Sequence, residues 1–187
     1  FKDRKAIPII ERFVKELTGF EIVETGKDYI LVKSISKHLD EEFSTILRRV
    51  FLILAQNTQL VQEAFRMRDK KILEGVRPLE LTVNKYTMFL KRVINRSGYK
   101  YPHYMYAIVT FLELASNHLE YIRKYYELNP KLKLEKDLAK ECGQLSELTT
   151  KTMDLFYNFS PEKFRWIAEE QPHFFWFKKI KDPTIKF

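Results

Sequence analysis

The chain has 187 residues, 45% of them hydrophobic and 31% charged, which describes a globular protein of one domain, or one domain and part of another, and excludes a disordered chain. Thirty-three basic residues against 25 acidic give a formal net charge of +8, a sign that favours polyanions without naming one. The single cysteine, Cys142, excludes an intramolecular disulfide and a cysteine-built zinc cage, and it suits a cytoplasmic setting.

The opening residues, FKDRKAIPII, lack the apolar core of a signal peptide, so export is not expected; the missing initial Met reads as the mark of a fragment. Residues 8–18 place Ile9, Phe13, Val14 and Leu17 on one helical face, with Gly19 as the stop. FEIVETGKDYILVKS follows, two β-branched and aromatic runs around Thr25-Gly26-Lys27-Asp28. This predicts a β-hairpin in which Gly26 relieves a positive φ. Ser36 is placed to cap a helix over 38–68, whose apolar stripe is Ile46, Val50, Ile53, Leu54, Leu60, Val61, Ala64 and Phe65.

A second long helix is expected over 69–96, kinked at Pro78 or divided there from a shorter first part, and closed by Ser97-Gly98. The third spans 101–128 from Pro102 to Asn129-Pro130, and the fourth 133–158. Ser160-Pro161-Glu162 opens a fifth, which meets Pro172 and an aromatic run. No apolar stretch reaches the roughly 20 residues needed to span a bilayer, so membrane insertion is not expected; VFLILA at 50–55 is short and flanked by charge. Leu47, Leu54, Thr58 and Phe65 recur 91 positions on as Leu138, Leu145, Thr149 and Phe156, an echo that a second repeat or merely two similar amphipathic helices would produce.

Two predicted helices carry the same spaced oxygen pair: Glu80 with Asn84, and Glu113 with Asn117, the latter followed by His118. A spacing of four puts each pair on one helix face. Brought together on packed helices, four such oxygens suit a hard cation or a polar network that fixes helix register. Asn offers a carbonyl oxygen to such a cation but brings no charge. His118 is a further ligand candidate beside Asn117. Against catalysis, the chain lacks a Gly-rich phosphate loop, a G-x-S-x-G elbow and an HExxH motif, and its four histidines lie in separate segments; a non-enzymatic protein is expected. The aromatics Tyr99, Tyr101, Tyr104, Tyr106 and Phe111, and Phe174, Phe175, Trp176 and Phe177 near the end, suit a core, an oligomer contact or base stacking.

Four segments, in order, resemble the PhoU family of phosphate-uptake regulators, in the archaeal subgroup where a SpoVT/AbrB-type DNA-binding domain precedes the helical part. ELTGFEIVETGKDYILVKS resembles the region between those domains, and LRRVFLILAQNTQLVQEAF the first bundle helix. RDKKILEGVRPLELTVNKYTMFL is similar to the second helix with its acid-x-x-x-acid motif, and FLELASNHLEYI to the third, where the family usually has Glu-Arg-x-x-Asp-His. The resemblance covers about residues 14–125. It implies a metal site at Glu80, Asn84, Glu113 and Asn117, with both second acids replaced by amides here, so the site is expected to be weak or vestigial for a divalent or ferric cation.

The expectation is therefore a mainly α protein, a PhoU-like antiparallel helical bundle preceded by a short helix and a β-hairpin. Residues 1–35 are the connecting region, 36–130 the first three-helix repeat and 131–187 a partial or degenerate second repeat. The resemblance implies a cytoplasmic regulator of phosphate homeostasis that contacts a phosphate-transport or signalling protein, or DNA through an upstream domain, and that is open to homodimerisation. The alternative is a basic helical protein that binds DNA or RNA directly.

Overall fold

The computed structural model describes residues 6–26, 29–34, 39–97 and 100–174. Its elements follow the predicted order: α1 (Ala6–Glu16), a hairpin of β1 (Phe20–Thr25) and β2 (Ile30–Ser34), then α2 (Leu39–Met67), α3 (Val76–Ser97), α4 (Pro102–Leu128), α5 (Leu138–Tyr157) and α6 (Pro161–Phe174). The described chain is thus mainly helical, with one two-stranded antiparallel sheet.

Local departures from expectation have local causes. On α1, Val14 is buried and Ile10 half-buried, whereas Ile9 and Phe13 are more than half exposed. Positions 9 and 13 form a stripe next to 10, 14 and 17, and only the latter edge is covered. In the hairpin the positive φ falls at Gly19, at 78°, and not at Gly26. Gly26 instead donates its N–H to Tyr29 O at 2.8 Å, and a Cβ there would collide with the Tyr29 ring. Smallness, not handedness, is what that position requires. A bulge between Ile22 and Glu24 shifts the register. Ser36, Lys27, Asp28, Gly98 and Tyr99 lie outside the described residues, as does the tail from Phe175.

The expected helix over 69–96 is divided, but between Gly75 and Val76 and not at Pro78. Lys70–Gly75 forms a 3-10 turn, capped by Asp69, whose side chain accepts from Lys71 N at 2.9 Å. Pro78 then sits in the first turn of α3, where backbone N–H groups have no intrahelical partner, so it causes no kink. The fourth helix starts at Leu138 rather than 133. Lys131-Leu132-Lys133-Leu134 alternates with the period of extended chain, and Leu134 plugs the core at 3% exposure. Ser160 caps α6 as its sequence predicts, accepting from Lys163 N at 3.2 Å. The helix continues past Pro172 to Phe174.

Helices α2, α3 and α4 pack pairwise around one core, and α5 lies antiparallel along α2. Every stripe residue foreseen on α2 is buried or packed against the core. The largest buried side chains, Phe43, Phe51 and Phe89, each contribute roughly 1.5–3 kcal/mol through burial. Phe51 meets Phe156 of α5 at 5.3 Å between ring centroids, so 138–157 shares the core of α2. The echoed residues Leu138, Leu145 and Phe156 are among those packed against it.

Candidate functional site

The sequence pairs on α3 and α4 have different fates. Asn84 donates its amide to Glu80 Oε1, and Glu80 is 96% buried with Arg77 Nη1 on its other oxygen at 3.1 Å. Glu113 is half-buried and bonded to Lys91, whose ammonium lies 5.6 Å from the Tyr106 ring centroid. Asn117 is half-buried, and His118 is exposed with Nδ1 2.6 Å from Leu114 O. The structure therefore joins Glu80 to Asn84 and gives Glu113 a cation from α3 as partner.

What faces Glu80 on α4 is Glu120. Arg77 Nη1 lies 3.6 Å from Glu120 Oε1, so one guanidinium holds both carboxylates. Glu120 is 94% buried and takes a two-pronged bond from Arg123, at 2.7 and 2.8 Å. Arg123 also reaches Glu127 at 3.2 Å. Glu120, more than any other neighbour, pushes the Arg123 guanidinium upward in pKa. Two buried acids with two arginines form a neutral quartet, which is how a bundle tolerates carboxylates in its interior. Glu113 sits two turns before Glu120, about 10 Å along the axis, and so belongs to another level.

The arrangement has a symmetry that antiparallel packing imposes. On α3 the order is Arg77, Glu80, Asn84, with spacings of three and four; on α4 it is Ser116, Glu120, Arg123, with four and three. Helices running in opposite directions must carry a shared layer in reversed order. Two copies of Glu-x-x-x-Asn in the same order cannot meet like to like. On α4 the residue that meets Glu80 through Arg77 is therefore Glu120, which sequence reasoning missed.

Leu60 of α2 packs over Gly75, where a Cβ would lie 3.2 Å from Leu60 Cδ1. Asn57, fully buried, has no hydrogen-bond partner for either amide atom among the described residues; neither have Asn84 Oδ1 and Ser116 Oγ. Each such group costs about 1–3 kcal/mol. Among the described residues no group of three or more His, Cys, Asp or Glu is placed to hold a metal ion.

Elsewhere, burial first and Glu141 second push the Cys142 thiol up to about 11, which suits an inert thiol. An open cleft of about 680 Å³ is lined by Arg68, Lys70, Lys131, Lys133 and Lys136 together with Glu135 and Asp137. Lys70 donates to Pro130 O at 2.8 Å and bridges the two sides. No helix is long and apolar enough to cross a membrane among the described residues. Comparison of the chain with protein-family models, curated proteins and solved structures finds no match.

Proposed function

We propose that the chain is a non-enzymatic regulatory module of phosphate uptake or homeostasis, PhoU-like in its bundle, which acts by contacting a phosphate-transport or signalling protein. The observation that supports this reading best is the buried polar layer between the second and third long helices. On α3 it contains the Glu80–Asn84 pair of the resembling segment, on α4 it uses Glu120 and not the motif position Glu113, and it is built as ion pairs and amides. Such a layer can act as a packing switch. Its ion pairs and amides must be re-paired if the helices shift, so a partner that binds one helix arrangement better than another selects between them. A cation would be one such selector through Glu80 and Asn84, and DNA control would require an upstream domain.

The test is genetic and quantitative. Deleting the gene that encodes this chain should leave phosphate uptake high when external phosphate is plentiful. The wild-type gene should restore repression, and Glu80→Ala/Glu120→Ala, expressed at matched level, should not. Uptake that ignores the deletion would sink the proposal.

The basic cleft favours a second reading, direct binding of a nucleic acid. Fluorescence anisotropy with short duplex and single-stranded oligonucleotides decides it. Affinity should fall steeply with salt and weaken in Lys131→Ala/Lys133→Ala, and no binding near physiological salt removes this reading.

A further inference from the structure

The inner face of α4 is occupied by Val109, Leu112, Ser116, Leu119 and Glu120, all buried. Its outer face is not the charged stripe that such packing leads one to expect. Tyr104, Phe111, His118 and Tyr125 recur every seven residues, and Ala107, Leu114, Tyr121 and Leu128 recur every seven between them, at the alternating steps of three and four that define a coiled-coil seam. All eight are exposed, with Tyr104 at 74%, Phe111 at 69%, Tyr121 at 61% and Leu128 at 71%. From Tyr104 to Tyr121 the exposed residues of α4 include no Lys, Arg, Asp or Glu.

An α-helix that is apolar on both faces is a helix covered on both faces. A repeat of 3.5 residues, sustained over more than three heptads, has a narrower meaning: it keeps a seam straight only against another helix that coils around it. The extent is also that of an interface. The four exposed rings alone present about 500 Å² of apolar surface, taking about 200 Å² for a whole aromatic side chain. With Leu114, Leu128 and Ala107 added, the seam approaches the ~800 Å² that each partner contributes to a stable dimer.

We infer that the outer face of α4 is a homodimer interface, on which the α4 of a second copy lies antiparallel in a two-stranded coiled coil. The seam is complementary to itself when reversed. A two-fold axis opposite residue 116 sets Tyr104 against Leu128, Ala107 against Tyr125, Phe111 against Tyr121 and Leu114 against His118 of the second copy. The Tyr125 ring then meets the small Ala107, Tyr104 packs on Leu128, and Phe111–Tyr121 is an aromatic pair. The parallel alternative would stack Tyr125 on Tyr125, leave a void at Ala107 and bring His118 to His118. The antiparallel form also opposes the helix macrodipoles. Of the flanking positions His103, Thr110, Asn117, Lys124, Ile108, Ala115 and Ile122, Lys124 alone bears a fixed charge, and the reversed register keeps the two copies of it about 24 Å apart.

Sedimentation velocity of the full chain at tens of micromolar should give twice the 22.5 kDa chain mass. Phe111→Glu and Leu114→Glu change residues exposed in the single chain, so each should keep the wild-type circular dichroism spectrum while sedimenting as one chain. A monomeric wild type, or dimers that survive both substitutions, overturns the interface. Orientation is read by disulfide trapping in a Cys142→Ser background. Mixed Tyr104→Cys and Leu128→Cys proteins should cross-link one to the other on oxidation. Cross-linking of either variant to itself overturns the antiparallel register. A wild-type monomer that dimerises only after residues 175–187 are deleted would mean that this segment, not a second copy, covers the seam.

Discussion

Glu120 and Glu80 are both nearly buried, but they depend on different groups. Glu120 has two arginines and sits against an unpaired Ser116, whereas Glu80 has Asn84 and a half-exposed Arg77. Removing Glu120 takes the two-pronged bond from the Arg123 guanidinium, which is only 16% exposed but keeps Glu127, so Glu120→Ala should cost about 1.5–3 kcal/mol in urea unfolding. Glu80→Gln keeps an acceptor for Asn84 and loses only a partly solvated ion pair, for which about 1 kcal/mol is expected. Equal losses in the two variants would mean that the quartet is not organised around Arg123. Cys142 offers an independent check. Its thiol pKa is about 11 in the fold against an ordinary value near 9.0, because burial penalises the thiolate. The folded state therefore binds the proton more tightly; this contribution is intact below pH 9.0 and is lost as pH rises towards about 11. Reaction with a thiol-specific disulfide reagent at pH 8 should be slow in native protein and fast in urea. At this scale the sequence showed Glu80–Asn84 correctly as a local pair, because i to i+4 spacing is a property of one helix. It did not show Glu120, because which residue of α4 reaches α3 is set by inter-helix register, and composition along one strand of sequence carries none.

Among elements, the boundaries that chemistry marks were legible. Ser160-Pro161 opens α6 and Asn129-Pro130 closes α4, since a side-chain cap and a missing N–H act within one turn. The start of α5 was not, because Leu134 enters the core from an extended segment and the tertiary contact, not propensity, decides it. The join of α5 to α6 is electrostatic. Lys163 Nζ lies 2.7 Å from Asp154 Oδ2, Asn158 donates to Asp154 Oδ1 at 2.9 Å, and Lys151 Nζ lies 3.1 Å from the centre of the Trp166 ring. Lys163 first and Asn158 second hold the Asp154 carboxyl below its ordinary 3.8. With the folded pKa depressed, this stabilisation is present above pH 3.8 and disappears as pH falls through the lower folded value. In a Trp176→Phe background, Trp166 fluorescence should therefore show a small acid transition below pH 3.8, as this solvated pair is lost, with the helical far-ultraviolet spectrum unchanged. Asp154→Asn should remove the acid transition in fluorescence. Its persistence in that variant would locate the coupling elsewhere.

At the scale of the molecule, the helix-and-hairpin unit and the bundle are read easily as separate regions, but their attachment is not visible in either segment. It falls to Arg92. This α3 side chain donates to Thr18 O, stacks on the Phe20 ring at 4.3 Å and lies 5.6 Å from the Phe89 ring, which belongs to the bundle core. Burial, and then nearby Arg96, lower its pKa, so the guanidinium is held inside at a cost that the Thr18 carbonyl and the two rings offset. One residue thus grips the turn that leads from α1 into β1, next to Gly19 with its positive φ. Arg92→Ala should detach the hairpin without unfolding the bundle, because Phe89, Leu90 and Val93 remain fully buried among α2–α4. Hydrogen exchange should show this as faster loss of protection at β1 and β2 amides, with amides of α2 and α3 unchanged and the main melting transition moved by only a few degrees. Arg92→Lys retains the charge but not the planar stack, so it should fall between wild type and alanine. If bundle amides lose protection together with the hairpin, the two regions unfold as one unit, and Arg92 is then part of a common core rather than a tether.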